Sequence, residues 1–108
     1  KKGNIGRFGR DICYVEDGDS LTFWTAIDRY TETVMYQLKR GFVLINYEAG
    51  MSRSTAFAVN ILVRCGFSLS AAESMVRKSN PSYAASDKFI KVIKEYYKLE
   101  ELEKNWNA

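Results

Sequence analysis

Phe42-Val43-Leu44-Ile45-Asn46-Tyr47-Glu48-Ala49-Gly50-Met51-Ser52-Arg53-Ser54-Thr55 is the stretch on which the fold reading turns. Its first four residues are a continuous apolar, β-rich run, the pattern of a parallel strand covered on both faces. From Arg53 to Cys65 the chain is apolar almost all round (Ala56, Phe57, Ala58, Val59, Ile61, Leu62, Val63), which predicts a buried helix stopped at Gly66. Upstream, Asp11-Ile12-Cys13-Tyr14-Val15 reads as a short strand. The cluster Glu16-Asp17-Gly18-Asp19-Ser20 is turn chemistry, and its Asp19 or Ser20 can cap a helix beginning near Leu21. In that helix Trp24, Ile27, Val34 and Leu38 recur at helical spacing, and Gly41 supplies the stop. Downstream, Ser70-Ala71-Ala72-Glu73 matches the capping box of a third helix ending near Asn80-Pro81. Ser86-Asp87 caps a last helix, whose apolar face is Phe89, Ile90, Val92, Ile93, Tyr96, Tyr97 and Leu99.

The order strand, helix, strand, helix, helix, helix is that of an α/β domain, so the expected fold is a parallel-sheet core with helices on both faces. Two strands make a poor sheet, and the expectation therefore includes missing N-terminal strands, supplied by a preceding part of the protein or by another chain. With 108 residues, 46% of them hydrophobic and 14% aromatic, the chain can fill one modest core, and residues 1–108 are read as a single domain. Sixteen basic residues against 13 acidic ones give a net charge of +3, too mild and dispersed for a nucleic-acid partner. There is no histidine, and Cys13 and Cys65 are far apart, which excludes zinc-finger spacing and a Cys-His catalytic pair. No metal or cofactor is expected, and both thiols are expected to be buried in a reducing compartment. No apolar stretch approaches the ~20 residues of a membrane span, so no membrane partner is expected and the location is read as cytoplasmic, with the nucleus as the other compartment.

Residues 46–55 lie between the expected strand and the expected helix, where backbone amides and the positive helix end converge on one concavity, a natural anion site. Gly50 permits a sharply bent loop, Arg53 can grip two phosphate oxygens, and Ser52 and Ser54 can hold the loop or its ligand. The stretch resembles the signature loop of the cysteine-dependent protein phosphatases, in which His-Cys is followed by five residues, then Arg and Ser or Thr. The dual-specificity branch favours Ala-Gly-x-Ser-Arg-Ser, and Ala49-Gly50-Met51-Ser52-Arg53-Ser54 matches it residue by residue. The resemblance extends from about Asp11 to Tyr97 and includes the Asn80-Pro81 break. It implies phosphate binding by Glu48, Ala49, Gly50, Met51, Ser52 and Arg53. It also puts Asp17 in the place of the family's general acid, with Asp19 the second candidate. Taken alone, Asp17 is equally well a plain turn residue.

Where the family has His-Cys, this chain has Asn46-Tyr47. The family's chemistry needs a thiolate that attacks phosphorus and leaves again. A phenol titrates near ~10 and is a far weaker nucleophile. Its oxygen sits on a rigid ring several bonds beyond the place of the sulfur, which excludes in-line attack on a phosphate cradled by the loop. Asn46 cannot become a cation as the family's histidine can. The pair is similar to the STYX-type pseudophosphatases, and it makes Tyr47, Asp17, Arg53 and Ser54 vestigial, with no active catalytic residue. Two dispositions of Tyr47 stay open. In one, its ring fills the phosphate space, with Arg53 stacked on it or paired with Glu48 or Asp17. In the other, the ring swings aside and leaves the amides open.

The resemblance thus implies a catalytically inactive domain acting as a protein-binding regulator or scaffold, with a phosphoprotein or a MAP-kinase-type kinase as partner. The alternative is an interaction module with a closed pocket and phosphate-independent binding. Residual tyrosine/serine/threonine phosphatase activity is the third reading, with no histidine or spare cysteine near the loop to support it. Phe23, Trp24, Tyr30, Tyr96 and Tyr97 are read as packing aromatics, and residues 98–104 as a solvated helix end.

Overall fold

The computed structural model describes residues 19–41, 52–80, 83 and 85–107, the side chains of 52, 53 and 103–107 excepted. Four helices occupy these segments: α1 (Ser20–Leu38), α2 (Ser52–Arg64), α3 (Leu69–Ser79) and α4 (Asp87–Asn107). Asp19 caps α1 as expected. Its backbone is extended (φ −98°, ψ 108°) and its carboxylate accepts from the Thr22 N–H at 3.3 Å, satisfying one of the free donors of the first turn. The helix closes at Lys39, ahead of the expected Gly41 stop, through short-range bonds from the Lys39 N–H to the Tyr36 carbonyl and the Arg40 N–H to the Gln37 carbonyl.

Gly66 ends α2 as the sequence predicts. It has φ 115°, its N–H donates to the Val63 carbonyl at 3.0 Å, and the Phe67 N–H donates to the Leu62 carbonyl at 3.1 Å. This pair of bonds is the Schellman arrangement, and a side chain at Gly66 would strain the left-handed backbone that makes it. The cap of α3 is Ser68, two residues before the expected Ser70: its Oγ accepts from the Ala71 N–H at 3.1 Å. Glu73, the expected partner of that box, instead accepts from the Tyr83 hydroxyl at 3.0 Å. Ser86 caps α4 as expected, accepting from the Lys88 N–H at 3.1 Å, and the helix runs on past Glu100 to Asn107.

The expected parallel-sheet α/β core is corrected. Among the described residues there is no strand, and the core is a small all-helical globule. Residues 11–15 and 42–45, the two expected strands, lie outside the described residues, as does Pro81. The physical reason is that the four apolar helix faces satisfy one another. Phe23, Ala26 and Ile27 of α1 pack with Ala56, Phe57, Val59 and Ile61 of α2, Ala72 and Val76 of α3, and Phe89, Val92 and Ile93 of α4. Phe23 and Phe89 are fully buried and stacked, with centroids 4.3 Å apart and planes 10° from parallel.

Helix α2 is central, packing against each of the other three, and α1 also packs against α4. Thr31 of α1 meets Asn60 of α2 and Glu32 meets Arg64, so these two helices run in the same direction. The Arg64 guanidinium donates two bonds to Glu32, at 2.6 and 2.9 Å, and this contact holds the Glu32 carboxyl below its ordinary range. Both side chains are solvated (39% and 68% exposed), so the pair is worth about 1 kcal/mol or less. Among the described residues no helix is long and apolar enough to cross a membrane.

Candidate functional site

Of the residues assigned to the signature loop, Asn46, Tyr47, Glu48, Ala49, Gly50 and Met51 lie outside the described residues, as does Asp17. Ser52, Arg53 and Ser54 open α2, the helix at the centre of the packing. The first amides of a helix have no intrahelical acceptor, and the dipole makes that end electropositive. No acidic residue occupies this first turn. Ser54 is half-buried, while Thr55 and Ala56 are buried, so the helix enters the core within one turn of the loop. Asp19, the second candidate for the general acid, uses its carboxylate as the α1 cap.

The sequence reading missed a polar centre deeper along α2. Asn60 is fully buried, and its position is about 9 Å along the helix axis from Ser54 at 1.5 Å per residue. Its Nδ2 donates to the Thr31 hydroxyl at 3.0 Å, and its Oδ1 accepts from the Tyr97 hydroxyl at 2.6 Å. One amide thereby joins α1, α2 and α4. Burial pushes the Tyr97 phenol well above its ordinary value, with the Glu100 carboxylate adding to the shift, so it stays neutral. A neutral phenol, an amide and a hydroxyl offer neither a nucleophile nor an acid near neutral pH, and the cluster is a structural tie. The signal was available: Asn60 interrupts an otherwise apolar run, and a buried amide has to find partners.

Two further phenols are tied to carboxylates on the surface. Tyr83 donates to Glu73 under the Arg77 guanidinium, 4.5 Å above its ring, and Tyr96 donates to Asp28 at 2.9 Å. Burial, then the bond to the carboxylate, pushes each phenol up to about 12. The unfolded chain releases these protons near pH ~10. The contribution of the neutral phenols is therefore complete below about pH 10 and is lost as pH rises from there towards about 12. Urea midpoints measured from pH 8 upward are expected to hold to about pH 10 and then fall steeply. A flat profile to pH 11 would contradict these contacts.

Trp24 packs edge-on against Tyr96, with centroids 5.0 Å apart, so the aromatics expected to serve packing do so. Cys65 departs from expectation. It is exposed just beyond the C-terminal end of α2, with its Sγ 3.9 Å from the Met35 sulfur. Cys13 lies outside the described residues. Among the described residues no cluster of histidine, cysteine or carboxylate side chains could hold a metal ion. Comparison with family models, with curated proteins and with solved structures finds no match for this chain.

Proposed function

We propose that the chain is a pseudophosphatase, a catalytically inactive relative of the dual-specificity phosphatases that binds a protein partner and shields or competes for it. The observation that carries the reading is Ala49-Gly50-Met51-Ser52-Arg53-Ser54 behind Asn46-Tyr47: the phosphate-loop residues are kept and the nucleophile is replaced. The position of Ser52 and Arg53 at the electropositive start of a well-buried central helix supports it. So does the absence of an acidic residue from that turn, which leaves an anion unopposed there. The parallel sheet forms no part of this reading. The partner is a phosphoprotein or a kinase of the kind these phosphatases act upon, met in the cytoplasm or the nucleus.

Phosphopeptides compared with their unphosphorylated forms test it. The phosphorylated forms are expected to bind at least tenfold more tightly, and Arg53→Ala to abolish the difference by removing a charge-assisted, two-point contact. Equal binding of both forms, unchanged by Arg53→Ala, would sink the phosphate-reading function. The Asn46→His/Tyr47→Cys double variant, assayed on an aryl phosphate, tests kinship separately. Turnover in that variant and none in the parent is the expected result.

A further inference from the structure

Hydrophobic burial has no direction, and the α1–α4 seam offers it more than one way to be satisfied. The two helices run side by side in the same direction: Phe23 stacks on Phe89, and eight residues further along each helix the Thr31 and Tyr97 hydroxyls are hydrogen-bonded. Midway between these rungs stand the buried Ile27 and Ile93, so each helix carries a ridge whose step is about one turn. The ridge of α4 does not end with the core. Leu99, seven residues beyond the buried Val92 and on the same face, is 53% exposed. If α4 slid by one turn, about 5.4 Å, Ile93 would come level with Phe23 and Leu99 would move towards cover. Apolar contact would be exchanged for apolar contact.

The polar contacts allow no such exchange. Asn60 has no solvent exposure, and it spends its Nδ2 on the Thr31 hydroxyl at 3.0 Å and its Oδ1 on the Tyr97 hydroxyl at 2.6 Å. A slide of one turn would carry the Tyr97 hydroxyl out of reach and bring it level with Ile27. Both it and the Asn60 Oδ1 would then lie inside the core without this bond, the outcome a buried polar group tolerates least. The Asp28–Tyr96 bond sets no such condition, because it is exposed and water can replace it. We propose that the Thr31–Asn60–Tyr97 triad fixes the register of α4 against α1 and α2, and that without it α4 also takes a second register one turn away. A single buried amide fixes register in coiled coils in the same manner, at a cost in stability. The signature loop takes no part, so this inference stands or falls apart from the phosphate reading.

Leu21 and Leu99, both exposed and towards opposite ends of the α1–α4 pair, are suitable positions for spin labels. The labels are attached after Leu21→Cys/Leu99→Cys in the full chain, with Cys13→Ser/Cys65→Ser to remove the native thiols. Double electron–electron resonance is expected to give one distance when the triad is intact. Adding Thr31→Val/Asn60→Leu/Tyr97→Phe, which replaces the triad by apolar groups, should bring in a second distance displaced by up to about 5 Å. Val59→Ala is the control: it weakens the core at a fully buried apolar position without touching the triad, and should keep the single distance. One unchanged distance in the triad variant overturns the proposal. So does a second distance in Val59→Ala, which would make register a matter of packing alone. Loss of the helical circular dichroism signal in the triad variant overturns it as well, since the triad would then hold the fold together and not choose among registers.

Discussion

Phe89→Ala is expected to lower the free energy of unfolding by about 3–5 kcal/mol, the range for deleting a fully buried aromatic ring. The ring lies flat against Phe23 at 4.3 Å, and both rings have no solvent exposure, so the deletion leaves a cavity against a second aromatic inside the core that also holds Ile27 and Ile93. Stacking adds about 0.5–1.5 kcal/mol to the area term. A domain of this size has about 5–15 kcal/mol in total, so the variant should be close to its folding threshold. Urea denaturation gives the measurement, with the midpoint displaced and the slope kept. Leu99→Ala on the same helix, at a position 53% exposed, is the control and should change stability by about 0.5 kcal/mol or less. A loss below about 1 kcal/mol in Phe89→Ala would show that the α1–α4 stack is not the centre of the core.

Asn60→Ala has the second largest effect, about 3 kcal/mol, for a different reason. The amide makes two hydrogen bonds inside the core. Without it the Thr31 hydroxyl, 4% exposed, and the partly buried Tyr97 hydroxyl lose their shared amide partner and keep only each other. Each hydrogen bond lost costs about 0.5–1.5 kcal/mol, and the cavity left by the amide adds to this. Removing the polarity altogether should undo most of the damage, because apolar partners of similar shape have nothing to leave unsatisfied. The triple variant Thr31→Val/Asn60→Leu/Tyr97→Phe is therefore expected to be more stable than Asn60→Ala alone. A triple variant weaker than Asn60→Ala, by the same urea measurement, would mean that shape and not hydrogen bonding governs this position.

The helices were legible where their signals are local. Asp19, Gly66 and Ser86 each act within one turn, and each caps or stops a helix as its residue type requires. Ser70 failed because Ser68 offers the same hydroxyl two residues earlier, and Glu73 found a better donor in Tyr83. The α/β expectation rested on the short apolar runs 11–15 and 42–45, which lie outside the described residues, and periodicity over so few residues is a weak signal of fold class. Four amphipathic helices that can bury their faces against one another were the stronger signal. At the site, the start of α2 was placed within a residue, whereas the Thr31–Asn60–Tyr97 tie was not seen. Its three members are brought together by packing, across 29 and 37 residues of chain, and no local pattern announces such a meeting.

The seam between α1 and α4 has a cost of its own. Its Asp28–Tyr96 contact closes 68 residues of chain, an entropic penalty of roughly 4 kcal/mol, whereas α2 and α3 meet across a short turn. Non-local contacts of this kind are expected to form late. The first and last helices thus act as a clasp, set last on a chain whose other helix ties span shorter stretches of sequence.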